Sequence, residues 1–300
     1  MKLMIFKPII QIMKSDIFKS TAVMVITFIV AISFTSCSKD DPIVLSNPSA
    51  TIILHRNDEQ AVSLKSGDNI SWSSNNEFVA TVEDGKVTGK HVGSTTIVAQ
   101  NDESRIEVPV TVTPAYFLYD DPIIEFGLTK KTLLARETHE LISEVTDSTD
   151  LLYNYSKGEY AFLTGYDLDD SEKLIHTIVL GNKKDEGAFN NDELKEIAYY
   201  FAERFAYIGD DEDGYGIFIN DTNLSKVTMG VHLGISKKGS LQAIYAPATV
   251  SITGSITVST RSVVFNEPFH LSRFGKVCAF EKGSFINISQ YTERDSTTEY

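Results

Sequence analysis

The stretch from Ile70 to Ala99, ISWSSNNEFVATVEDGKVTGKHVGSTTIVA, decides how the first half of this chain folds. Ile70-Ser71-Trp72, Val79-Ala80-Thr81-Val82, Lys86-Val87-Thr88 and Thr95-Thr96-Ile97-Val98-Ala99 are short and rich in β-branched residues. Turn signals separate such runs about every 8–12 residues, which is the rhythm of a β-sandwich. Asp84-Gly85 predicts a hairpin turn, because Gly tolerates the positive φ that the turn requires. Gly93 predicts another tight turn. Working outward, Ala61-Val62-Ser63-Leu64 and Ile106 to Val112 extend the strand pattern in both directions. Alternation places Trp72, the only Trp, on the side of Ile70 and opposite Ser71, so Trp72 is expected in the core.

The order Trp72-Ser73-Ser74, Val79 to Val82, Gly85 to Gly89, then Gly93, Thr95 and Ile97 resembles the signature of bacterial immunoglobulin-like domains of the second group. The resemblance spans residues 50–114. It implies a small all-β sandwich without a disulfide, acting as a stalk, spacer or adhesion module. It carries no catalytic residues.

From residue 115 the period changes. Residues 190–208, NNDELKEIAYYFAERFAYI, predict an amphipathic helix with Leu194, Ile197, Ala198, Phe201, Phe205 and Ile208 on one stripe. Asn190 and Glu193 form the start signal, and Gly209 the stop. A second helix is expected over 129–143, with Leu134, Leu141 and Ile142 facing inward. Strands are expected at 151–155, 159–164, 174–180, 215–220, 229–235 and 240–246. Met229, Val231, Leu233 and Ile235 alternate with small or polar residues, which predicts one buried and one wet face. The expected architecture is multidomain. An all-β immunoglobulin-like sandwich is followed, over 115–250, by an α+β domain with an antiparallel sheet and two main helices. Gly127, Thr129, Leu133, Tyr153, Tyr160 and Phe162 resemble small lipoprotein modules of the BamE and β-lactamase-inhibitor-protein type, which implies protein binding or assembly. Residues 251–300 read as a strand-like extension followed by a polar, frayed tail.

The N-terminus reads as an address. Lys14 and Lys19 precede the apolar run 21–34, too short for an ordinary membrane span and fitting a signal-peptide core. The stretch before Met13 is long for such a signal, so translation can start at either Met. Phe34-Thr35-Ser36-Cys37 resembles a bacterial lipobox, which implies cleavage after residue 36 and acylation of Cys37. Two or three acyl chains anchor stably where one is marginal. Ser38, Lys39, Asp40 and Asp41 resemble the export signal of surface-exposed Bacteroidota lipoproteins. Residues 37–49, with Pro42 and Pro48, read as a linker. The expected location is therefore the outer membrane, facing the cell exterior, with the membrane as a partner through the N-terminal lipid.

Composition limits the function classes. The chain has 300 residues, 42% hydrophobic and 23% charged, with 27 basic and 41 acidic residues and a net charge of −14. Loss of residues 1–36 removes four Lys and one Asp and leaves −17. A nucleic-acid partner is not expected, since phosphate contacts need a basic surface. Two cysteines cannot staple a fold, and Cys278 reads as a buried, inert thiol. His139-Glu140 begins like a zinc-binding helix, but Ser143 stands where the second His belongs. Asp210, Asp211 and Asp213 form the densest acidic run, a weak Ca²⁺ candidate that lacks the calcium-loop spacing. Asp147-Ser148-Thr149 and Asp295-Ser296-Thr297 resemble O-glycosylation acceptors. No cofactor is expected and no catalytic residue is assigned. The leading expectation is a non-enzymatic binding, adhesion or structural module with a protein or glycan ligand. The alternatives are an accessory enzyme of glycan or peptide processing, with its site in 115–300, and an envelope-assembly or inhibitor protein.

Overall fold

The first half is built from strands too short to be stable singly, and their β-branched residues pair them into sheets around shared apolar side chains. The computed structural model describes residues 39–49, 51–144, 151–185, 187–211, 214–255 and 258–265. In order come β1 (Val44–Leu45), β2 (Ile52–Leu54), β3 (Glu59–Ala61), β4 (Leu64–Ser66), β5 (Ser71–Ser74), β6 (Ala80–Glu83), β7 (Lys86–Gly89), β8 (Gly93–Gln100) and β9 (Arg105–Val112). A four-stranded sheet has the order β2-β9-β8-β5, a three-stranded sheet β3-β7-β6, and β1 pairs with β4. Among the described strands only β2 and β9 run parallel. The two larger sheets enclose one core that includes Ile52, Leu54, Ala80, Val87, Ile97, Val108 and Val110.

Trp72 differs from expectation in degree. It is half-buried and packs against the margin of this core. The reason is its strand: β5 is the sheet's edge, so one flank of the ring has no neighbouring strand. The ring lies instead against the β6–β7 turn. A Cβ at Gly85, where φ is +77°, would sit 2.9 Å from Trp72 Cζ2, so this turn needs glycine for both conformation and space.

The described part of the segment read as a linker, residues 39–49, is folded. Ile43 is buried, and Val44 and Leu45 pair with Ser66 and Leu64. A short apolar triplet, Ile43-Val44-Leu45, suffices because β4 offers it an open edge.

The second half contains α1 (Lys130–Arg136), β10 (Glu140–Glu144), β11 (Leu151–Lys157), β12 (Tyr160–Leu168), β13 (Leu174–Lys183), α2 (Asn191–Ala202), β14 (Ala206–Asp210), β15 (Gly216–Ile219), β16 (Met229–Ile235), β17 (Ser240–Ser255) and β18 (Val258–Phe265), with a 3-10 turn at Leu224–Lys226. Strands β10 to β17 form one antiparallel sheet in the order β10-β11-β12-β13-β17-β16-β15-β14, and β18 pairs with the far end of β17. The helix α2 and the strap 115–128 cover one face. Leu194, Ile197, Tyr200 and Phe201 from the helix, with Leu118 and Tyr119 from the strap, meet Phe162, Val179, Ala243, Tyr245 and Val231 from the sheet. Burying each such aliphatic or phenyl side chain contributes roughly 1.5–3 kcal/mol, so this layer dominates the stability of the second half.

Three expectations are corrected here. The helix over 190–208 stops at Ala202, with Glu203 as its C-cap, and residues 206–210 are strand β14. Its start is as read: Asn190 and Glu193 form a complete capping box. The helical stripe continued to Phe205 and Ile208 only by coincidence of spacing, since both are apolar in either geometry. The helix over 129–143 is the single stretch α1, followed by strand β10. Leu133 is its buried residue, whereas Leu134, Leu141 and Ile142 are exposed. Glu137 ends it by adopting extended backbone while its carboxylate accepts from the amides of Thr138 and His139. Finally, β16 has no wet face: Gly230 and Gly234 are buried and His232 half-buried.

The two halves meet where β9 ends. Glu203 accepts the Val92 amide at its carbonyl, 2.6 Å, and the Ala115 and Tyr116 amides at its carboxylate, 2.9 and 3.1 Å. Phe78, stacked on His91 at 3.9 Å, packs with Ile208 and Leu224 against the buried cluster of Ala206, Ile219 and Val227.

Candidate functional site

The strap and the residues after α1 bring one group of ionisable side chains together over β11 and β12. His139 lies flat on Tyr155, with ring centroids 4.1 Å apart. Its Nδ1 is 2.7 Å from Glu137 Oε1 and its Nε2 is 3.2 Å from Asp120 Oδ2. Lys157 Nζ donates to Asp120 Oδ1 at 2.9 Å, and the Tyr166 hydroxyl donates to Glu137 Oε2 at 2.5 Å. The lysine, first of all, holds the Asp120 carboxyl below the usual carboxylate range. Burial by itself would raise Glu137, but hydrogen bonds from Tyr166, from the His139 and Thr138 amides and from the His139 ring outweigh it and hold that carboxyl low as well.

This arrangement fastens the strap to the sheet. The two carboxylates sit on opposite nitrogens of one imidazole, so they cannot converge on a single ion. Among the described residues no group of three His, Cys, Asp or Glu is placed to hold a metal. The cluster ties the strap, through Asp120, to β11 and to the end of α1. The sequence sets His139 aside as a zinc ligand, because Ser143 stands where the second His belongs. The relevant signal was its two flanking acids in space, and Asp120 lies nineteen residues away.

A pH dependence follows. Glu137 has a folded proton affinity below its unfolded one, so its contribution is present above about pH 4.3 and is lost as pH falls through the lower, folded value. The urea midpoint of the chain should fall between about pH 6 and about pH 3, and Glu137→Gln should flatten that slope. Parallel losses in the two proteins would show that Glu137 does not drive the acid sensitivity.

A second feature is a shallow cleft of about 580 Å³ beside the edge strands β5 and β6, lined by Trp72, Val82, Glu59, Glu77, Glu83 and Lys86 among others. Lys86 pairs with Glu59 at 3.0 Å. Both acidic and basic groups line this cleft beside the half-buried indole.

The remaining candidate residues are placed as follows. Cys37 and Ser38 lie outside the described residues, as do Cys278, both glycosylation-like triplets and Asp213. Lys39, Asp40 and Asp41 sit on the first unit. Lys39 Nζ is 3.4 Å from a Glu103 oxygen, Asp40 accepts from Asn69 at 2.7 Å, and the Asp41 amide donates to Asp68 at 2.6 Å. These are exposed polar contacts between the entering chain and the first unit. Asp210 accepts from the Tyr207 hydroxyl and Asp211 from the Tyr215 amide, at 2.8 and 2.9 Å. They close the β14–β15 turn.

No family model matches the chain, and no curated protein matches it. Among solved structures it is similar to domains 5-6 of the S-layer protein SbsC, at 12% sequence identity and a TM-score of 0.20, over 76% of this chain and 97% of that one. An overlap that loose does not define a shared fold. No helix among the described residues is long and apolar enough to cross a membrane.

Proposed function

We propose that this chain is an exported, lipid-anchored cell-surface protein in which the β1–β9 unit is an immunoglobulin-like spacer. The unit beyond Ala115 then carries a non-enzymatic binding or structural role. One observation supports the spacer most directly: the chain enters and leaves the first unit at opposite ends of the same strands. Lys39 and Asp41 lie at the β8–β9 turn, where Asn101 donates to the Asp41 carbonyl at 2.8 Å and Ser104 accepts the Ile43 amide at 2.7 Å. The exit, Thr113 to Tyr116, follows the other end of β9, beside Gly93 and the Val92–Glu203 contact. Strands β8 and β9 are eight residues each, so the two ends stand roughly 26 Å apart. An acyl group on Cys37, two residues before Lys39, would thus hold the second unit off the membrane by about the length of a strand. The mature charge of −17 adds repulsion from an anionic membrane surface.

Cys37→Ala is expected to leave an uncleaved or mislocalised precursor, while the native chain partitions into the detergent phase. A native chain found in the aqueous phase would overturn the anchor. Protease shaving of intact cells, with a periplasmic protein as leakage control, tests display. Resistance on intact cells with digestion after lysis would make the protein periplasm-facing.

A further inference from the structure

The large sheet buries both faces; α2 and the strap cover one, and over the other the described elements cover only the end at Ala206 and Ile219, where Val227, Leu224 and Phe78 pack, and the flank beside Tyr215. Leu152, Gly165, Ile178, Ile244, His232 and Ile217 are paired in register, each with the next, across six strands. They therefore stand on one face. The opposite face carries the rows that meet α2 and the strap. On the first face, Leu152, Ile178, Ile244 and Ile217 are only 2–7% exposed, and Gln242 of the adjoining row is fully buried. The apolar cluster there comprises Leu152, Leu163, Ile178 and Leu180 and contains no residue of a helix or of the strap. Neighbouring strands cover the flanks of a side chain but not its tip, because side chains stand perpendicular to a sheet. A further layer must lie over this face.

We propose that this layer is the chain's own C-terminal segment, residues 266–300. Continuity favours it. Strand β17 runs beyond its partners β13 and β16, and β18 returns along it until Phe265 pairs with Ala248. Ala248 is next to Pro247, which pairs with Met229 inside the sheet. Residue 266 thus starts at the sheet's middle strand. Its composition fits: Phe269, Leu271, Phe274, Val277, Phe280 and Phe285 come at short intervals. Reach is ample, since 35 residues extend up to about 115 Å and six strands span about 24 Å. The other undescribed segments fit less well. Residues 145–150 must join the neighbouring strands β10 and β11. Residue 39, where the N-terminal segment ends, lies at the far end of the first unit. The segment 266–300 would then be a closing layer of the fold.

Two measurements on the full chain in detergent test this. Amides of 266–288 should exchange with deuterium about tenfold or more slower than in the urea-unfolded chain. A diazirine amino acid placed at Leu163 should, on illumination, form its adduct within 266–300 of the same molecule. Exchange at the unfolded rate overturns the proposal. So does an adduct in 1–38 or 145–150, or a covalent dimer, which would make a second copy the cover. If the label forms no adduct, or the labelled chain does not fold, exchange in the unmodified chain decides alone.

Discussion

Glu203→Ala is expected to lower the unfolding free energy by about 3–5 kcal/mol, because it strips the partner from a buried cation. The Glu203 side chain is 4% exposed and that of Arg204 10%. The carboxylate takes Arg204 Nη1 at 2.6 Å together with the amides of Ala115 and Tyr116. Arg204 also stacks on the Tyr200 ring at 3.9 Å and donates to Asp121 at 3.1 Å. Removing the carboxylate leaves two backbone donors without acceptors and a guanidinium with one exposed anion in place of two. Glu203→Gln keeps an acceptor oxygen and its shape, and it should cost clearly less than the Ala variant. Urea unfolding of the two variants against the native chain measures this. A cost below about 1 kcal/mol for Glu203→Ala would mean that the amides find water, and that the junction is held by Phe78 and its neighbours together with the Val92–Glu203 backbone bond.

That residue also shows where sequence reading stops. Glu203 lies inside a run whose apolar spacing fits a helix to Ile208, and nothing local ends that helix. What ends it is distant: the amides of Ala115 and Tyr116, nearly ninety positions earlier, recruit its carboxylate. The same applies to 129–143, where Tyr166 and Asp120 from other elements hold Glu137 and His139. By contrast, β6 and β7 and the Asp84-Gly85 turn were readable, because hairpin geometry depends on adjacent residues. The capping box at Asn190 and strand β16 were readable for the same reason. Residues 39–49, expected as a linker from Pro42 and Pro48, pair with β4 and bury Ile43, a tertiary contact that no local residue announces. The fastening cluster around His139 could not be seen at all, since its members are spread over 47 positions from Asp120 to Tyr166.

Gly181→Ala is expected to destabilise the chain by about 1–3 kcal/mol, and Gly181→Val by more. Gly181 is in β13, a central strand where an L-residue with a side chain would ordinarily be favoured. It pairs with Phe162 on one side and Leu241 on the other. A Cβ there would lie 2.6 Å from Phe162 Cε1 and 3.0 Å from Cδ1. The ring cannot move aside: it is 3% exposed and packed by Tyr119, Tyr155 and Tyr160. The glycine is therefore the seat of an aromatic ring laid across its neighbour strand, an arrangement that covers the exposed backbone with apolar surface. If that is the reason for the glycine, shrinking the ring must remove the penalty. Phe162→Leu alone should cost stability through lost packing, yet Gly181→Ala made in that background should cost less than in the native chain. Denaturant unfolding of the four proteins gives the coupling energy directly. Additive losses would mean that the ring does not press on this position, and that the glycine serves the strand for some other reason.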